Sequence, residues 1–255
     1  MPAQTHLFPC LQDNFGVLIH DPASGATAAI DAPEAAPVEA ALAATGWRLT
    51  DILVTHHHGD HTAGIPELKK RHKCRVVAPR NEASRISDID ETVGEGDTVK
   101  VGGLQAKVIE TPGHTAGHIS YWFGADSLAF VGDTLFSIGC GRVIEGTPEM
   151  MWESLLKLRN LPGETRIYCG HEYTLANIKF AQTIEPNNAA LIARAGEAAA
   201  QIKAKQPTIP TTIAEEKAAN PFLRADVQEV AAAVGMAGKP AAQVFAEIRA
   251  RKNKF

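Results

Sequence analysis

THHHGDH, residues 55–61, places four of the chain's ten histidines and one aspartate directly after the apolar run of residues 52–54. Neighbouring imidazoles repel one another when protonated, so such a cluster is useful when held neutral against a cation. A short apolar run ending in donors reads as a buried strand that delivers side chains to the rim of a sheet. His56 and His58 are two apart, so in extended backbone they share one side while His57 points away. Asp60 and His61 follow where the chain turns toward a helix expected over residues 63–72, and they can face a second position close by. The spacing HxHxDH therefore suits two adjacent ions.

Three distant segments repeat a single grammar. In TPGHTAGH, Pro112 and Gly113 end a strand over 105–111 and release His114; in LAFVGDTLF, Asp133 follows an apolar strand and Gly132; in IYCGHEY, His171 follows an apolar strand and Gly170. With the first cluster these make seven candidate ligands: His56, His58, Asp60, His61, His114, Asp133 and His171. Imidazole and carboxylate donors together suit Zn, Fe and Mn alike and need no cysteine. His57 is read as a supporting or partly exposed residue, and His118, which begins a strand, as a hydrogen-bonding partner behind the ligands. Asp31, at a strand end, is either an orienting partner of a ligand histidine or a turn aspartate beside Pro33. His6, His20 and His72 lack a ligand-like context.

Around these motifs the first two thirds of the chain reads as strands and tight turns. Residues 15–21 and 26–31 form a hairpin around DPASG, an alanine-rich helix over 37–45 ends at Gly46, and strands follow at 51–55, 75–78, 98–101, 105–111, 118–123, 128–132 and 166–169. Strands with interspersed helices, without strict βαβ repetition, point to mixed sheets covered by helices. From about Tyr173 the composition shifts to Ala, Glu, Lys and Gln, with helical patterning over 175–183, 188–205, 227–234 and 241–251. The connecting PTIPTTIAEEKAANPF is rich in Pro and Thr and is expected to be irregular.

A chain of 255 residues that is 45% hydrophobic can bury a full core. A net charge of -4 provides no basic field for nucleic acid or an anionic membrane. The scattered Cys10, Cys74, Cys140 and Cys169 read as buried or incidental thiols of a reducing compartment. The start lacks a leader pattern, and no apolar run of about 18 residues occurs. The expectation is a cytoplasmic monomer.

HxHxDH with TPGHTAGH resembles the metallo-β-lactamase fold superfamily, and GDTLFSIGCGR, CGHEYT and the helical tail resemble its glyoxalase II branch, the hydroxyacylglutathione hydrolases. The likeness runs from FPCLQDNFGVLI to the basic C-terminus. It implies an α/β fold, an αββα sandwich of two mixed β-sheets flanked by helices, with a smaller α-helical C-terminal domain. The corresponding division is a catalytic domain over 1–172 and a substrate-binding domain over 173–255. By the same resemblance, His56, His58 and His114 hold one divalent ion, most naturally Zn, Asp60, His61 and His171 hold a second, and Asp133 bridges them.

Two ions about 3.5 to 4 Å apart lower the pKa of a shared water toward about 7, which provides a hydroxide to attack an acyl carbonyl. Asp60 is a ligand first, and its second oxygen is placed to orient that hydroxide. The implied reaction is hydrolysis of S-(2-hydroxyacyl)glutathione, above all S-D-lactoylglutathione, to glutathione and a 2-hydroxy acid. Arg142, Tyr173, Arg249 and Lys252 match the family's glutathione-binding positions. Ile144 departs from the pattern, because many relatives carry a tyrosine there. The alternatives are a single-iron glutathione persulfide dioxygenase, against which the helical tail speaks, and a non-catalytic metal-binding module.

Overall fold

Alternating apolar residues build the first strands. In the computed structural model, which describes all of residues 1–255, β1 (Gln4–Cys10), β2 (Asn14–His20) and β3 (Thr27–Ile30) pair antiparallel, with Val17 opposite both Leu7 and Ile30. The hairpin around DPASG forms as expected, and β1 is an additional strand. From β3 the sheet turns parallel through β4 (Asp51–Leu53), β5 (Arg75–Pro79) and β6 (Glu91–Val93), which makes it mixed. Parallel neighbours need crossover connections. Helix α1 (Ala35–Thr45) supplies the first, and α2 (Gly59–Thr62) with α3 (Ile65–His72) the second. Val38, Leu42, Ile65 and Leu68 from these helices pack with Ile52, Val54 and Val76 in a buried core.

A second set of strands follows as an antiparallel meander: β7 (Thr98–Val101), β8 (Leu104–Glu110), β9 (Ile119–Phe123) and β10 (Leu128–Gly132). In β8 buried Leu104, Ala106 and Val108 alternate with exposed Gln105 and Lys107, the period-2 signature of a sheet with one covered face. These elements belong to one compact unit, Met1–Glu110 with Thr115–Gly132; the other comprises Thr111–His114 and Asp133–Phe255.

The second unit contains the small hairpin β11 (Leu135–Phe136) and β12 (Gly139–Cys140), then α4 (Pro148–Arg159), β13 (Arg166–Cys169), α5 (Thr174–Ala181) and α6 (Ala189–Lys203). The chain continues as β14 (Thr211–Thr212), α7 (Ile213–Ala219), α8 (Gln228–Ala233) and α9 (Ala241–Lys254), with β14 antiparallel to β13. Helix α4 was not anticipated, although Thr147 caps it, Pro148 opens it, and Met151, Trp152, Leu155 and Leu158 form its buried stripe. The segment expected to be irregular is also corrected. Thr212 and Glu215 close a reciprocal capping box that starts α7, and a 3₁₀ turn over Pro221–Leu223 follows. No helix is long and apolar enough to cross a membrane.

Candidate functional site

Val54 extends β4 by donating its N–H to Val77, and the chain stays irregular through His58 before entering α2. Asp60 and His61 thus sit inside a short helix, ahead of the expected start at residue 63. The alternation over the three histidines holds. His56 Nε2 and His58 Nδ1 face each other at 3.1 Å, while the His57 ring turns to the Glu82 carboxylate at 2.7 Å.

The protonation pattern of this cluster follows from its partners. Thr55 donates its hydroxyl to Asp31 Oδ2 at 2.9 Å, so its lone pair accepts the Nδ1 proton of His56 at 3.0 Å, and the unprotonated Nε2 of His56 faces His58 Nδ1. His61 donates Nδ1–H to the same Asp31 oxygen at 2.8 Å and also presents Nε2, which lies 3.8 Å from Asp60 Oδ2. Asp31 therefore takes the orienting role, in a left-handed conformation with φ 57° that aspartate tolerates. The His118 ring stacks on His56 with centroids 4.8 Å apart. Gly132 makes room for this packing, since a Cβ there would lie 2.6 Å from both His118 Nε2 and Thr55 Oγ1. The glycine before Asp133 is thus a packing requirement as well as a strand end.

The second unit gathers the other three candidates. His114 donates Nδ1–H to the Arg142 carbonyl at 2.9 Å, which leaves Nε2 3.4 Å from Asp133 Oδ2. His171 Nε2 lies 3.2 Å from that same oxygen, and its ring lies flat on Tyr173, with centroids 4.9 Å apart and planes 2° apart. His114, Asp133 and His171 are all buried. Two imidazole nitrogens aimed at one carboxylate oxygen form a donor set suited to a divalent cation. The residues present here fit such an ion.

His114 and Asp133 also line a cavity of ≈ 560 Å³ whose walls include Arg142, Tyr173, Arg249 and Lys252. Lys179 adds a further cation, and Asp133 is the one acid of the lining. Arg249 is 6% exposed. Its guanidinium donates to the Cys140 carbonyl at 2.9 Å and to Asn253 at 3.1 Å, and it lies over the Phe222 ring. Lys252 donates to the Ala176 carbonyl at 3.0 Å and stands beside the rings of Phe180 and Phe255. Burial, and then the charge of Arg249, lower its pKa below the usual lysine value. Ile144 is 58% exposed and outside this lining.

Two family profiles cover the chain: the metallo-beta-lactamase superfamily over residues 11–171, and the hydroxyacylglutathione hydrolase C-terminus over residues 172–255. A Rhodopseudomonas palustris (strain BisB5) protein named hydroxyacylglutathione hydrolase is 66% identical over 253 residues, 99% of each chain. The chain belongs to the hydroxyacylglutathione hydrolase family. A Nitrobacter hamburgensis protein of the same name is 63% identical over the full length of both chains. Among solved structures, ETHE1 from Myxococcus xanthus matches with a TM-score of 0.70 at 29% identity, over 99% of this chain and 92% of that one. The expected fold class is thereby established, and membership of a metallo-enzyme family with these His and Asp donors implies divalent metal ions.

Within this hydroxyacylglutathione hydrolase fold, sequence reasoning missed two supporting residues. Glu82, in a 3₁₀ turn after β5, accepts from the His57 N–H at 2.6 Å, the His57 ring, the Thr115 hydroxyl and the Gly117 N–H at 2.9 Å. Asn14 donates to the Asp60 carbonyl at 3.0 Å. Neither carries a motif, because each works through a fold that joins remote segments. The four cysteines are buried free thiols, as expected, and burial pushes Cys140 up to about 11 and Cys169 to about 12.

Proposed function

We propose that this protein hydrolyses S-(2-hydroxyacyl)glutathione, with S-D-lactoylglutathione as the preferred thioester, to glutathione and D-lactate, the second step of methylglyoxal detoxification. The observation that carries the reading is the cavity in which Asp133 and His114 share walls with Arg142, Lys179, Arg249 and Lys252. Glutathione bears two carboxylates, and four cations against one acid produce a field that attracts such a ligand. Full-length relatives at 61–66% identity bear the hydrolase name, which supports this reading over a persulfide dioxygenase or a non-catalytic module.

His56, His58 and His114 would hold one ion, Asp60, His61 and His171 a second, and Asp133 would bridge them. We assign two zinc ions per chain, with Fe and Mn suited to the same donors. When bound, such ions acidify water toward neutral pH and act as Lewis acids on an acyl oxygen. The chain's own part is orientation. Asp31, Thr55 and the Arg142 carbonyl take the Nδ1 protons of His61, His56 and His114, so each ring offers Nε2 without rearrangement. Asp60, half-buried and held at its carbonyl by Asn14, would orient the attacking water. Tyr173, locked flat on His171, fixes the cavity wall relative to that ligand.

Residues 173–255 act as the substrate-binding segment and residues 1–172 as the catalytic one. One chain carries the whole donor set and the cavity, which supports action as a monomer, and four free thiols suit a reducing, cytoplasmic setting. The test is a hydrolysis assay over a panel of thioesters, with metal content measured on the same sample. Hydrolysis of S-D-lactoylglutathione above other thioesters is expected. A metal-loaded sample inert toward it would end the proposal, and full activity with fewer than about two ions per chain would end the binuclear part.

A further inference from the structure

Between β11 and β12 the chain reverses over only Ser137 and Ile138, with Phe136 paired to Gly139. Ile138 adopts φ 57°, a left-handed conformation that a β-branched residue avoids, so the turn does not hold itself in this shape. It is held from outside. Ile138 donates its N–H to Glu216 Oε2 at 2.9 Å, and Asn220 Nδ2 reaches the carbonyls of Phe136 at 3.3 Å and Gly139 at 3.0 Å. Asn177 donates to the Ser137 carbonyl at 3.1 Å, and Arg194 to the Ser137 hydroxyl at 3.2 Å. Asn220 and Glu216 are themselves joined at 2.9 Å.

The backbone of the turn is thus bound by side chains from α5, from α6 and from the region of α7 and its C-cap. Its Ile138 side chain, 1% exposed, packs with Ile178, Leu191 and Ala219 of the same helices or cap region. Gly139 is required here, because a Cβ would lie 2.3 Å from Asn177 Nδ2. The hairpin in turn forms part of the cavity. Phe136 and Cys140 line it, and the Cys140 carbonyl accepts from Arg249. Asp133 and Arg142, whose carbonyl orients His114, stand on either side of the hairpin in the chain.

We infer that Glu216 and Asn220 are positioning residues: they clamp the 135–140 hairpin in its strained turn and so set the wall against which the substrate and Arg249 lie. This role makes the helical segment a template for the cavity as well as a source of its cations, and its kinetic consequence rests on the thioester reading above. A wall out of place weakens binding more than chemistry.

Four variants test the clamp: Glu216→Ala, Asn220→Ala, Glu216→Gln, and Glu185→Ala as a control. Glu185→Ala breaks the Arg224–Glu185 pair of the same unit without touching the hairpin. Two readouts are taken alongside thermal stability: kcat and KM for S-D-lactoylglutathione, and the alkylation rate of Cys140 by peptide mass spectrometry, which needs no substrate. In Glu216→Ala and Asn220→Ala, KM is expected to rise about tenfold with a smaller change in kcat, and Cys140 to be labelled about tenfold faster. Glu216→Gln, which still accepts the Ile138 N–H, restores both values, and Glu185→Ala lowers stability with neither effect. Unchanged KM and labelling in both alanine variants, or equal changes in the control, overturn the clamp. If the wild-type protein hydrolyses no thioester, the functional reading fails, and Cys140 labelling still decides the clamp.

Discussion

Replacing Glu216 by glutamine should raise stability relative to the wild type as pH rises from 4.5 to 7.5. Glu216 is fully buried, and burial raises its pKa from 4.5 to about 7 against the opposing pull of hydrogen bonds and the Arg194 charge. Between pH 4.5 and 7 the unfolded carboxyl has lost its proton while the folded one keeps it, so stability falls as pH rises through this window. Above about 7 both states are ionised and the loss is complete. A difference of about 2.5 in pKa at about 1.4 kcal/mol each amounts to about 3 kcal/mol. Glutamine does not titrate. The stability of Glu216→Gln relative to wild type should therefore climb by about 3 kcal/mol from pH 4.5 to 7.5, or roughly 6–12 °C in Tm for a chain of this size. Denaturant unfolding of both proteins across that range measures it, because every other titrating group is common to the pair. Parallel pH profiles would refute the reasoning.

Other substitutions probe the donors and the cavity. Asp31→Asn puts an amide where an acceptor faces His61 or Thr55, so metal affinity should drop about 10–100-fold in a chelator competition assay. Asp133→Ala should abolish nearly all turnover while His57→Ala retains much of it; equal losses would contradict the ligand assignment. Ile144→Tyr should lower the KM for a glutathione thioester with little effect on kcat, through a hydroxyl worth about 1.5 to 3 kcal/mol to a charged partner. A KM that does not fall would remove this position from glutathione recognition.

The part of the chain that matches the metallo-beta-lactamase superfamily was largely legible because its signals are local. A glycine at a strand end followed by His or Asp can be read over five residues, and the alternation of His56, His57 and His58 follows from backbone geometry alone. Asp31 could be read only as an even choice, since its partners Thr55 and His61 lie 24 and 30 residues away. Glu82 was invisible for the same reason. Around α7 the prolines and threonines that suggested irregular structure conceal Thr212, a helix cap, and Glu216 behind it has no pattern to mark a buried carboxyl. Arg249 was named only through the family pattern, and its contacts with Phe222 and Cys140 exist only once the fold closes around it.

Three of the proposed ligand rings have their Nδ1 protons tied to fixed oxygens, on Asp31, on Thr55 and on the Arg142 backbone. These anchors specify which nitrogen faces outward and leave the chemical nature of the ion unspecified, because nitrogen and carboxylate donors serve several first-row metals. Selection then passes from the polypeptide to the supply. Protein produced in zinc-rich medium should contain zinc, and the same chain from iron-rich or manganese-rich medium should carry the metal of its surroundings, so its metal content records the history of the cell that made it.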